Sequence, residues 1–104
     1  MIKMVVLAKA IPGKKEELAK WYDEKHLVDL LAVEGVASVE RHDYMPLKGP
    51  EGLPHWDFLL IYEFEGKDPM VVLGNMAKSQ IELSDIMESS QTLSVIATSR
   101  TKLG

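Results

Sequence analysis

The sequence predicts an α+β domain of β-α-β-β-α-β order, the ferredoxin-like split βαβ arrangement. Three observations carry this expectation. Apolar, β-branched segments stand at both ends of the chain, two stretches with helical spacing follow the first and third strand candidates, and the only Pro/Gly-rich run separates the two middle strands. At 104 residues there is room for one core, so residues 1–104 are read as a single domain.

Ile2 to Ala10 is a strand candidate that is apolar on both faces and ends at the turn pair Pro12-Gly13. Lys14 to about Val33 follows as a helix, with Leu18, Trp21 and Tyr22 at helical spacing and Gly35 as its stop. Val36 to Met45 alternates as a strand, with Ala37, Val39, Arg41 and Met45 on one face. The run from Pro46 to Pro54 is a long loop, and Gly49-Pro50-Glu51-Gly52 is its best candidate for a lid. His55 to Phe64 is the plainest strand, with Trp56, Phe58, Leu60, Tyr62 and Phe64 on one face. Asp68-Pro69 starts a second helix, expected to reach about Glu88 with Val72, Met76, Leu83 and Met87 buried. Thr92 to Thr101 closes the fold as a strand.

Such a sheet has helices on one face only. Each strand here offers apolar residues to both faces, and a contiguous apolar sheet face marks an association surface. A homodimer closed face to face is therefore expected, against the alternative of a monomer with a half-polar open face.

Composition excludes several functions. The net charge is −4 and the lysines are scattered, which argues against a nucleic-acid partner. There is no cysteine, so thiol chemistry, iron–sulfur clusters and cysteine-ligated zinc are absent. The histidines lack the spacing of a His-Glu-x-x-His or similar metal site, and no Gly-rich phosphate loop occurs. No cofactor is expected. No apolar run approaches the roughly 20 residues of a membrane span, and the short apolar N-terminus falls below a secretory core, so a cytoplasmic protein without a leader is expected.

The segment Trp21-Tyr22-Asp23-Glu24-Lys25-His26 carries the chemistry. His26 lies about 40° round the helix from Tyr22, one turn on. Beyond it the apolar positions shift phase to Leu27, Leu30 and Leu31, which predicts a kink near Glu24–Leu27 that sets the imidazole at a joint. Histidine titrates near neutrality and suits proton transfer or hydrogen bonding to a substrate oxygen. The same residue also reads as a partly buried helix cap.

Together with Val33-Glu34-Gly35-Val36 and Arg41-His42, this segment resembles the EthD-like branch of the dimeric α+β barrel superfamily. Glu34 stands where that family carries a proline. The resemblance implies a homodimer with a cavity between sheet and helices in each subunit. Relatives in the superfamily include polyketide cyclases, cofactor-free quinone-forming monooxygenases and muconolactone isomerases. Residue by residue, only Trp21, His26 and Arg41 match.

The candidate catalytic pair is therefore His26, to move a proton, and Arg41, to anchor a carboxylate or enolate; the same arginine also reads as the partner of a surface acid. Trp21, Tyr22 and Tyr62 are the candidate substrate-binding residues, the tyrosines as donors to a developing oxyanion. Three readings remain open: a small cofactor-independent isomerase, cyclase or monooxygenase acting on an aromatic, lactone or polyketide-like molecule; a non-catalytic protein that binds a hydrophobic small molecule in a degradative pathway; and a structural dimer without a ligand, its pocket filled by Trp21 and Tyr22.

Overall fold

A computed structural model describes residues 1–104. Strand β1, Ile2–Ala8, is one of two inner strands, and on its core face Ile2, Val6 and Ala8 are buried and Met4 half-buried. A turn follows in which Gly13 takes φ +81° and the Lys14 amide donates to the Ile11 carbonyl. Helix α1, Lys15–Trp21, then runs without interruption through one π turn, Tyr22–His26, into α2, Leu27–Leu31. Gly35 adopts φ +94°, a left-handed conformation suited to glycine, and turns the chain into β2, Val36–Asp43. Strand β3, Phe58–Phe64, leads to helix α3, Pro69–Lys78, whose cap Asp68 accepts from the Met70 amide at 2.9 Å. Strand β4, Leu93–Thr98, ends the sheet.

The sheet order is β2-β3-β1-β4 with every pairing antiparallel, which is the expected ferredoxin-like topology. The core lies between this sheet and the helices. Phe58, Leu60, Tyr62 and Phe64 from β3 meet Leu18, Tyr22, Leu30 and Val72 from the helices. Removing this much apolar surface from water is the main force holding helices to sheet.

The opposite face carries no helix. Cross-strand register aligns Ile61, Val5 and Val95 in one row and Leu59, Leu7 and Leu93 in the next. Val95 and Leu93 keep 47% and 45% of their surface exposed. Lys3 and Glu63, 3.9 Å apart, border these rows at one end, and Glu40 and His42, 2.9 Å apart, flank them on β2. No helix is long and apolar enough to cross a membrane.

Four elements differ from expectation. A β-bulge between Val36 and Ser38 leaves Ala37 exposed and turns both Val36 and Val39 to the core, and β2 ends at Asp43 rather than Met45. The last strand ends at Thr98 rather than Thr101. The strand after the long loop begins at Phe58 rather than His55. The second helix stops at Lys78 instead of continuing to about Glu88. Ser79 Oγ bonds back to the Asn75 carbonyl and Gln80 takes φ +50°, both of which end helical geometry. Beyond that point the chain is held by tertiary pairing. Ala10 bridges Met87, the Ile11 amide donates to the Ile86 carbonyl, and the Glu88 amide to that of Lys9. Met87 still packs against the core, from an irregular segment, whereas Leu83, expected to be buried, is 71% exposed once the helix has ended.

Candidate functional site

The π turn organises the site. The Leu27 amide donates to the Tyr22 carbonyl, five residues back, so one extra residue is accommodated in this turn. In a regular α-helix residues five apart point about 140° away from each other. Here Trp21 and His26 are stacked, with ring centroids 4.3 Å apart and planes 16° from parallel. The inserted residue also offsets the drift of a four-residue repeat, and Leu18, Tyr22, His26 and Leu30 are all buried along one side of the helix. The expected joint is therefore a π turn, and it aims the imidazole toward the sheet.

His26 is only 8% exposed, and its Nδ1 is buried without a hydrogen-bond partner. Burial lowers its pKa to about 4; Asp29 opposes the shift and Lys25 adds to it. The ring is neutral at ordinary pH. Tyr22 packs edge-on against both neighbours, 5.0 Å from Trp21 and 5.5 Å from His26, and its hydroxyl donates to Met87 Sδ at 3.4 Å. Burial pushes the Tyr22 phenol up to about 12 and raises Tyr62 further, with Tyr22 contributing to the latter. Both phenols remain protonated donors.

His26, Tyr22 and Tyr62 line one cavity of about 530 Å³ between the sheet and the helices. Its volume falls in the range of small-molecule sites. The walls are apolar, with Met4, Met76 and Met87 among them, and Ser89, Thr92 and Ser94 supply hydroxyls. No side chain on the lining is a carboxylate, an ammonium or a guanidinium.

Of the residues singled out in the sequence, His26, Tyr22 and Tyr62 meet at this cavity. Trp21 stands behind His26 as a stacking partner and is not on the lining. Arg41 is also off the lining. Its guanidinium takes both oxygens of Asp23 at 2.8 Å, lies 3.8 Å from Asp43 and sits 4.8 Å over the Phe58 ring. That bidentate pair ties the π turn to β2, and it holds the Asp23 carboxyl below its usual range. The loop expected to act as a lid contributes nothing to the His26 cavity; it encloses a separate depression of about 470 Å³. The wall comes instead from Ile81, Leu83 and Met87, held by the pairing of Ala10 with Met87.

Two solved structures share this architecture. A protein of Shewanella loihica PV-4, provisionally assigned as a monooxygenase, superposes with a TM-score of 0.65 at 15% identity over 97% of this chain and 95% of its own. An ethyl tert-butyl ether D (EthD) family protein of Bacillus halodurans C-125 gives 0.62 at 12% identity, over 96% and 99%. The chain has their fold. No family model matches the sequence, and no curated protein does.

Asp23 and the methionine wall were not anticipated as parts of the site. Asp23 lay within the segment already marked, but nothing in one sequence shows which carboxylate meets Arg41. Met87 was expected on a helix, where its contact with Tyr22 could not be read.

Proposed function

We propose that this protein is an EthD-like, cofactor-independent enzyme that performs acid–base chemistry on an aromatic, lactone or polyketide-like molecule, with His26 as the catalytic residue. The observation that supports the reading is the buried, neutral imidazole of His26, stacked on Trp21 and lining a mostly apolar cavity large enough for a fused-ring compound. Tyr22 and Tyr62 contribute protonated hydroxyls to the same cavity. Arg41 acts through Asp23 as a positioning residue, holding the π turn against β2.

The apolar rows around Val5 and Leu7 support association of two copies through their uncovered sheet faces. The absence of cysteine accords with a cytoplasmic setting.

The test is conversion by the purified protein of a panel of cyclic ketones, hydroquinones and butenolide lactones in air. The expected result is turnover of at least one class, reduced roughly 10²–10⁴-fold in a folded His26→Ala variant. Undiminished turnover in that variant would overturn the assignment. One observation favours the second reading, a binding protein without catalysis: the cavity offers no carboxylate to work with His26. Saturable binding with no conversion across the panel would decide for it.

A further inference from the structure

We infer that the cavity selects an uncharged ring compound bearing a carbonyl oxygen, and that His26 donates to that oxygen through Nε2–H instead of acting as a base. The inference rests on the small-molecule site proposed above and adds its ligand class and the direction of its central hydrogen bond.

A neutral imidazole carries one proton, on either nitrogen. Nδ1 of His26 is buried and faces no acceptor. A proton placed there would be a buried N–H without a partner, the rarer and costlier kind of orphan. A proton on Nε2 belongs to the nitrogen left to the cavity, where a ligand oxygen can accept it. Proton abstraction by Nε2 would end as an imidazolium whose second N–H is stranded. The charged form is further opposed by burial, which outweighs the help of Asp29. Neutral imidazole is an effective electrophile toward a carbonyl oxygen.

The same lining rejects anions. A carboxylate entering the cavity would lose its hydration and find hydroxyls but no cation. Two basic side chains of the elements flanking the cavity are engaged elsewhere, Arg41 by the two oxygens of Asp23 and Lys25 by Asp29 at 3.1 Å. The Tyr22 hydroxyl is directed at Met87, so Tyr62 is the phenol available as a second donor.

The experiment has two arms, both on the full chain. In the first, nitrogen-15 NMR of the ligand-free protein at about pH 7 reads the His26 tautomer. The expected form is Nε2–H with an unprotonated Nδ1; an Nδ1–H or a doubly protonated ring overturns the inference. In the second, calorimetry compares three fused-ring probes of similar size: tetralone, tetralin and naphthoate. Tetralone is expected to bind roughly tenfold more tightly than tetralin, the margin of one hydrogen bond, and more tightly still than naphthoate. His26→Gln, whose amide nitrogen can stand near the Nε2 position, should keep that preference, and His26→Asn should lose it. If naphthoate binds best, this inference fails while the small-molecule site stands. If none of the three binds, the proposed site falls, and this inference with it.

Discussion

The indole of Trp21 and the imidazole of His26 lie face to face at 4.3 Å, five residues apart in sequence and joined by a single π turn. The contact makes Trp21 a reporter of His26 ionisation, because an imidazolium quenches a stacked indole and a neutral imidazole does so far less. In a Trp56→Phe background Trp21 is the sole tryptophan. Its fluorescence should stay level through the usual histidine range and fall with a midpoint near the His26 value of about 4. A midpoint close to 6.5 would show that the ring is solvated and not held as described.

Stability should follow the same group. His26 has its folded pKa depressed from 6.5 to about 4, so in that window the unfolded chain binds more protons. The contribution of the neutral ring is therefore fully present above about pH 6.5 and is lost as pH falls toward about 4. The whole shift corresponds to about 3 kcal/mol, and partial access to water through the open cavity reduces this to about 2 kcal/mol. Urea midpoints taken across this range should slope for the native protein and slope less for His26→Gln. Parallel curves would remove the linkage.

The Asp23–Arg41 pair invites a double-mutant cycle. Arg41 is mostly buried on its side chain while Asp23 is half exposed, so the pair belongs between surface and interior cases. Arg41→Ala and Asp23→Ala should each cost about 1 kcal/mol, with a coupling of about 0.5–1 kcal/mol. Arg41→Lys should recover little, since a lysine cannot make the two parallel bonds at 2.8 Å. A coupling indistinguishable from zero would show that Arg41 does not anchor the π turn.

The ferredoxin-like order was legible because each element carries its own signal. Asp68-Pro69 announces α3, Gly35 closes the first helix, and β3 alternates cleanly from Phe58 to Phe64. The end of α3 was not legible. Leu83 and Met87 fit helical spacing, but Met87 is placed by pairing with Ala10, in the extension of β1, a contact no local pattern encodes. The same limit applies to the site. His26 stood out through the phase slip after Tyr22, whereas the partner of Arg41 is set by how the helix lies across β2. A long-range pair between a helix and a strand leaves no periodicity to read.

The uncovered sheet face makes its own prediction. Ile61 and Val5 are aligned at the centre of the apolar rows, and a lysine at Ile61 would place a charge in any interface formed there. Sedimentation of the native chain at micromolar concentration should find a dimer, and Ile61→Lys should shift it to monomer with its secondary structure intact. A native chain that sediments as a monomer would remove the association.

Gly35 and Gly13 separate two costs that usually arrive together. Both adopt left-handed φ, +94° and +81°. A side chain at Gly13 would meet nothing within 4 Å, so Gly13→Ala should cost about 1 kcal/mol, for the backbone conformation alone. At Gly35 the added Cβ would stand 2.8 Å from Val72 Cγ2, a buried residue of α3 with little freedom to retreat. The neighbouring turn is also pinned, by Asn75 Nδ2 donating to the Glu34 carbonyl and by the Glu65 amide donating to that of Gly35. Gly35→Ala should therefore cost the same conformational penalty plus about 1–3 kcal/mol of overpacking. Val72→Ala in the Gly35→Ala background should return part of that second contribution, because it removes the methyl that the new Cβ strikes. Equal urea midpoints for the two glycine variants would mean that α3 does not press on this turn, and that the packing which frames the His26 cavity is looser than the contact implies.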